Sequence, residues 1–169
     1  MNRRTFIKSL GLFGGGLLLW PGIRAAPGIS ATAHDWRKRA LRIHVETLTL
    51  DSHCDTPLQL MREGFDLGED NSSRRGSLVD LPRMKQGGLD ASFFAVFLGQ
   101  GKRTPEANQK VYERSLKIFQ AVEKAVRAYP QLAEIAMEPA DAYRLDKAGK
   151  RAIYLGIENG YPIGRDIKN

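Results

Sequence analysis

Residues 47–57 read Thr-Leu-Thr-Leu-Asp-Ser-His-Cys-Asp-Thr-Pro, and this segment is the most informative one for the fold. Its first half alternates polar and apolar residues, which predicts a β-strand at about 47–51 that runs into His53 and Asp55. Residues two apart on a strand lie on one face, so this imidazole and carboxylate could approach one metal ion, and both groups bind zinc well. Cys54 would face the other way and is not counted as a ligand. The alternative is a strand-end turn in which Asp51 and Asp55 cap the following helix.

Two further apolar runs predict strands at about 90–97 and 152–157. The first includes Phe-Phe-Ala-Val-Phe, which is typical of a strand buried on both faces. Amphipathic spacing predicts three helices, at 34–46, 105–129 and 139–148. Since strands and helices alternate, the fold class is α/β with parallel strands. A closed (β/α)₈ barrel of the TIM type needs roughly 250 residues, so we expect either a small α/β unit or the first part of such a barrel.

A third metal-capable side chain, Glu158, directly follows the strand predicted at 152–157. Active sites of parallel α/β folds and barrels lie beyond the carboxyl ends of the strands, where His53 and Asp55 also stand. A carboxylate has two oxygens, so Glu158 could bridge two metal ions. The alternative for Glu158 is a solvent-exposed strand end or a cap for Tyr161. We interpret His34 and His44, on the first helix, as surface or packing residues.

Composition narrows the class of protein. The 169 residues suggest about one domain, and 42% hydrophobic with 27% charged residues exclude a disordered tail, a collagen-like chain and a coiled coil. The single cysteine excludes an intrachain disulfide framework and a multi-cysteine zinc site. The net charge is +7, but residues 1–33 hold four basic and no acidic residues, which leaves +3 for the rest. No basic patch with interleaved aromatic residues remains, so we expect no nucleic-acid partner.

Residues 1–33 predict a signal peptide, and residues 34–169 the folded domain. Paired arginines, a phenylalanine and a lysine precede a glycine- and leucine-rich segment at 9–22, which resembles the bacterial twin-arginine signal. The residues concerned are Arg3, Arg4, Phe6 and Lys8. Cleavage is expected after Ala33 or Ala26, and the apolar segment is shorter than the about 20 residues of a membrane span. We expect a bacterial periplasmic or extracellular protein that meets the membrane only during export, with an uncleaved anchor as the alternative.

Three motifs in order resemble the membrane (renal) dipeptidase family, peptidase family M19. Residues 51–57 resemble its D-x-H-x-D-x-P segment, and residues 81–94 (Leu-Pro-Arg-Met-Lys-Gln-Gly-Gly-Leu-Asp-Ala-Ser-Phe-Phe) resemble the approach to its next strand. Residues 156–160 (Gly-Ile-Glu-Asn-Gly) resemble its G-x-E-x-G segment. The likeness runs from about residue 40 to the end.

The resemblance implies a (β/α)₈ barrel with two zinc ions at its mouth. His53 and Asp55 would bind one zinc and Glu158 would bridge both, with a water between the metals attacking the peptide carbonyl. The substrates would be dipeptides, often with a D-residue at the C-terminal position.

The sequence departs from the family pattern in its later part. The family's second zinc takes two histidines from later strands, and a further histidine, an arginine and an aspartate serve the substrate, whereas no histidine follows His53. We therefore expect the N-terminal part of a zinc dipeptidase, its first three or so βα units, inactive alone, with its catalytic residues beyond Asn169. A single-metal amidohydrolase-like enzyme is an alternative, although such enzymes usually carry H-x-H where Asp55 stands here. A small exported binding module without catalysis is another.

Overall fold

The computed structural model describes residues 33–165, 167 and 168. The predicted signal residues Arg3, Arg4, Phe6 and Lys8 lie outside this range. The chain divides into two compact units, residues 1–36 and residues 37–169. All four described strands belong to the second unit, and of the first unit only residues 33–36 are described. No helix in the described part of the chain is long and apolar enough to cross a membrane.

At least one helix separates each strand from the next along the chain, as the sequence predicts. In chain order they are α1 (Ala33–Glu46), β1 (Leu50–Cys54), α2 (Thr56–Leu60), α3 (Leu81–Gly87), β2 (Ala91–Phe97), α4 (Pro105–Arg127), β3 (Ala133–Ile135), α5 (Pro139–Lys147), β4 (Arg151–Glu158) and a 3-10 helix (Tyr161–Ile163).

All the strands run parallel in one sheet, in the order β1-β2-β4-β3. The parallel α/β class is therefore confirmed. The short strand β3, which the sequence analysis did not predict, pairs only with the first residues of β4, from Arg151 to Ile153. The second half of β4 thus extends beyond β3 toward the carboxyl edge of the sheet.

The predicted position of the first strand, 47–51, is wrong by about three residues. The amide of Thr49 donates to the Asp90 carboxylate at 2.9 Å, and the Thr49 hydroxyl donates to the carbonyl of Gly88 at 2.6 Å. These side-chain bonds anchor the chain just before the sheet, so that the ladder with β2 begins at Leu50. The shift moves His53 into the strand and leaves Asp55 directly after it.

One face of the sheet is covered by α4, whose amphipathic spacing predicts this packing. The buried positions on the helix are Val111, Ser115, Ile118, Val122 and Val126. The helix starts cleanly because the Thr104 hydroxyl caps the amide of Ala107 at 3.3 Å and Pro105 suits the first turn. Fully burying an apolar side chain contributes about 1.5–3 kcal/mol, so this seam is a large part of the core.

The opposite face of the sheet is partly covered by α5. Ala142 and Leu145 of this helix pack with Ala91, Ala152 and Tyr154. At the amino edge of the sheet, Asp90 accepts a hydrogen bond from Arg151 at 2.6 Å in addition to that from Thr49. This carboxylate therefore joins the starts of β1, β2 and β4 and leaves the carboxyl edge open.

Candidate metal centre

The carboxyl edge of the sheet brings His53, Asp55 and Glu158 together, although β2 separates the strands that carry them. The His53 Nε2 atom lies 3.5 Å from Asp55 Oδ1 and 3.3 Å from Glu158 Oε2. Each residue offers one ligand atom within 4.8 Å of the others. The side chains are about half exposed, at 48%, 62% and 46% respectively. The cluster that the strand-end positions predict is therefore present and open to solvent.

A β-bulge in β1 lies between Asp51 and Cys54, in the segment that contains His53. Asp51 pairs with Ser92 and Cys54 with Phe94, so three steps along β1 match two along β2. Such an extra residue bends the strand and re-aims side chains. Inside the bulge, Asp51 Oδ1 accepts a hydrogen bond from the His53 amide at 3.0 Å. Asp51 thus supports the backbone of the histidine, a role that the sequence analysis missed.

Cys54 is not among the residues of the cluster, as predicted. Its thiol is buried, donates to the Thr56 hydroxyl at 3.0 Å, and lies in the same core cluster as Phe94. Burial raises the pKa of the Cys54 thiol above its usual value, because an apolar environment disfavours the thiolate. The cysteine therefore has a packing role on the other side of the strand.

The capping alternatives for the acidic residues are wrong. Asp55 stands at the N-cap position of α2, but its side chain makes no capping hydrogen bond. Asp51 bonds to the amide of His53 instead of the helix. The Tyr161 amide, which Glu158 was the candidate to cap, donates to Asn159 Oδ1 at 3.1 Å. The Asp55 and Glu158 carboxylates thus make none of these capping bonds and are available for a metal ion at the carboxyl edge of the sheet.

The donor atoms fit zinc in kind, and two of their separations fit it in length, while the three atoms as a set lie within 4.8 Å of one another. Zinc bonds to nitrogen and carboxylate oxygen are about 2.0–2.2 Å long, so neighbouring donors in a tetrahedron lie about 3.3–3.6 Å apart. The two separations from His53 Nε2, 3.3 and 3.5 Å, fall within that interval.

His44 takes no part in this cluster. Its Nε2 atom lies 2.8 Å from the carbonyl oxygen of Gly87, at the end of α3. This contact agrees with the interpretation of His44 as a packing residue. The side chain of His34 lies outside the described part of the structure.

A cavity of about 230 Å³ opens beside His53 and Asp55. Its other lining residues are Asp51, Cys54, Thr56, Gln59, Gly76, Leu78 and Val79. The Thr56 hydroxyl donates to the Val79 carbonyl at 3.0 Å, which ties α2 to the opposite wall. The cavity is thus bounded on one side by Gly76, Leu78 and Val79, which precede α3.

The wall of this cavity is held by Asp80, which is fully buried. Its carboxylate accepts hydrogen bonds from the Asn71 amide at 2.8 Å and from the amide and Nε of Arg83 at 2.9 and 2.8 Å. Arg83 also donates to the carbonyl and the hydroxyl of Ser77. One buried ion pair therefore organises the whole segment from 71 to 83.

Comparison with known proteins places these observations in a family. Residues 37–169 match the family model described as "Membrane dipeptidase (Peptidase family M19)". A curated relative, dipeptidase ataJ of Aspergillus terreus, is 25% identical over 136 residues, which cover 74% of this chain and 32% of the relative.

Two solved structures resemble the fold. The probable dipeptidase PvdM from Pseudomonas aeruginosa has a TM-score of 0.69 and 26% identity over 81% of this chain and 34% of that one. A metallopeptidase from Rhodobacter sphaeroides, liganded with a phosphinate mimic of the dipeptide L-Ala-D-Ala, has a TM-score of 0.59 and 19% identity over 71% and 40%. The chain thus spans about a third of the length of the curated relative and of PvdM.

Proposed function

The chain belongs to the membrane dipeptidase family, peptidase family M19, and from that membership we propose that it supplies the first metal-binding part of a zinc-dependent dipeptidase. Its relatives are metallodipeptidases, and its parallel sheet forms the first βα units of their TIM-type barrel. The observation that carries the proposal is the meeting of His53, Asp55 and Glu158 at the carboxyl edge, with separations suited to zinc.

In the proposed site each residue has a separate task. His53 and Asp55 would hold one zinc ion, and Glu158 would help to hold that ion and a second one. When bound, zinc polarises a peptide carbonyl and lowers the pKa of water, so that hydrolysis proceeds near neutral pH. Asp51 keeps the His53 backbone in the bulge, as its 3.0 Å bond supports.

Dipeptides are the proposed substrate class. Two relatives carry the name dipeptidase, and the Rhodobacter structure is described with a phosphinate dipeptide mimic. We propose that the 230 Å³ cavity beside His53 and Asp55 receives part of such a small substrate. Its lining mixes polar groups with the apolar side chains of Leu78 and Val79, as small-molecule sites commonly do.

Three donors do not fill the coordination of two zinc ions, each of which takes about four ligands. We therefore propose that dipeptide hydrolysis needs donors beyond His53, Asp55 and Glu158, and that the 169-residue chain binds zinc without turnover.

The test is hydrolysis of L-Ala-D-Ala by the 169-residue chain and by any longer product of its gene. We expect activity only in a longer product, and we expect a chelator to abolish it and zinc to restore it. Glu158→Gln is expected to reduce this activity more than about 100-fold, since loss of a residue that merely hydrogen-bonds to a metal ligand already lowers metal affinity or activity about 10–100-fold. Turnover by the 169-residue chain would contradict the inactivity proposed for it. Hydrolysis of simple amides but not of dipeptides would favour the amidohydrolase alternative. Activity on neither substrate would favour the non-catalytic binding module.

We also propose that the protein is exported by the twin-arginine route. Arg3, Arg4, Phe6 and Lys8 ahead of the apolar segment at 9–22 support this. N-terminal sequencing of exported protein is expected to find a start at residue 34 or 27, and a start at Met1 would contradict cleavage.

A further inference from the structure

The turn that follows Glu158 has an unusual backbone. Asn159 has φ +71°, and it is the one non-glycine residue with positive φ in the described part of the chain. This left-handed region is unfavourable for side chains with a Cβ, and asparagine tolerates it best. A left-handed residue directly after a candidate metal ligand indicates that the turn is held by specific contacts.

The Asn159 side chain supplies those contacts in two directions. Its Nδ2 donates to the carbonyl of Leu98 at 3.0 Å, and its Oδ1 accepts from the Tyr161 amide at 3.1 Å. Leu98 is buried and follows Phe97, the β2 residue whose register partner is Glu158. The asparagine therefore adds one side-chain rung beyond the last backbone pair of the β2–β4 ladder.

Glu158 is the last residue of β4 and lies directly before this rung. Among residues 33–165, 167 and 168, the Glu158 carboxylate has one recorded polar contact, with His53 Nε2 at 3.3 Å. The side chain is half exposed, so few packing contacts restrict it. What sets its direction is the backbone at the end of β4, which the Asn159 side chain joins to β2.

We propose that Asn159 is a positioning residue: by joining the ends of β2 and β4 it holds the Glu158 carboxylate beside His53 and so raises the affinity of the cluster for zinc. The inference rests on the proposed function, because it assumes that the cluster binds zinc. Substitution of residues that orient metal ligands typically lowers metal affinity by about 10–100-fold.

Three substitutions separate the contributions of backbone and side chain. Asn159→Gly accepts the left-handed backbone but removes both side-chain bonds. Asn159→Asp keeps an acceptor for the Tyr161 amide and loses the donor to Leu98. Gly149→Ala is the matched control: Gly149 has φ +72°, precedes the opposite end of β4, and has open space where a Cβ would stand. It strains the backbone far from Glu158 and so controls for a loss of stability that does not involve the turn at Asn159.

The experiment measures zinc affinity of the purified 169-residue chain by competition with a chromogenic chelator, well below the thermal midpoint of every variant. We expect Asn159→Gly and Asn159→Asp to bind zinc at least about tenfold more weakly than the wild type. Gly149→Ala is expected to lower the thermal midpoint and leave zinc affinity unchanged. Wild-type affinity in Asn159→Gly would overturn the inference, as would an equal loss in Gly149→Ala.

A second measurement decides the inference if the wild type does not bind zinc. That result would defeat the proposed function, and crystal structures of the metal-free wild type and Asn159→Gly would then be compared. A Glu158 Oε2 atom that stays 3.3 Å from His53 Nε2 in the variant would overturn the positioning role. A displaced Glu158 would support it.

Discussion

Replacing His53 with alanine is expected to lower zinc affinity more than about 100-fold. This exceeds the loss of about 10–100-fold that follows when a residue hydrogen-bonded to a metal ligand is removed. The imidazole nitrogen lies within 3.5 Å of both carboxylates, so it is the shared corner of the three-donor cluster. Without it two exposed carboxylates remain, and exposed acidic groups alone hold a zinc ion poorly. The measurement is a chelator-competition titration of the purified 169-residue chain.

His44→Ala is the matched control for this prediction. His44 contacts the Gly87 carbonyl and lies outside the cluster, so its loss is expected to leave zinc affinity unchanged. Equal affinities of the wild type and His53→Ala would show that the His53 contacts are ion pairs and that zinc binds elsewhere.

Replacing Asp80 with alanine is expected to destabilise the chain by about 3–5 kcal/mol, the cost of breaking a buried ion pair from one side. The Asp80 side chain is 0% exposed, whereas that of Arg83 is 21% exposed. Its loss leaves the Arg83 guanidinium and the Asn71 amide without their buried acceptor. The free energy of unfolding, measured by urea titration, checks this.

Asp70→Ala provides the comparison for Asp80. Asp70 Oδ1 also lies near Arg83 Nε, at 3.8 Å, but its side chain is 57% exposed. An exposed ion pair is worth about 0–1 kcal/mol, so this variant is expected to unfold almost as the wild type does. Equal losses in the two variants would contradict the view that Asp80 organises the cavity wall.

The long elements of the fold could be predicted because their patterns are local. The spacing of α4 and the apolar runs of β2 and β4 give boundaries within about two residues of those observed. The helix α3 was missed, because residues 81–94 were interpreted through the family motif as an approach to a strand. Its signals were present: Asp80 caps the Arg83 amide, Pro82 lies in the first turn, and Gly88 ends the helix with φ +68°.

Other features depend on tertiary contacts. The three residues of β3 form a strand only because β4 lies beside them, and no period shows in so short a segment. The late start of β1 depends on Thr49 bonding to Asp90, which is 41 residues away. A bulge is equally invisible to an alternation pattern, since the extra residue between Asp51 and Cys54 is defined only against β2.

The candidate site was predictable in membership but not in geometry. The rule that functional residues follow parallel strands selects His53, Asp55 and Glu158 without coordinates. The distances among them are not visible in any local pattern, since β2 lies between the strands that bring these residues to the sheet edge. The Asn-Gly pair at 159–160 is a turn signal that could have drawn attention to this residue.

Anomalous diffraction at the zinc edge, from crystals of the chain grown with zinc, tests the central claim most directly. We expect a peak about 2.0–2.2 Å from His53 Nε2 and from a carboxylate oxygen of both Asp55 and Glu158. Zinc peaks found only at other positions in the crystal, with His53 still in contact with both carboxylates, would contradict the zinc site proposed here.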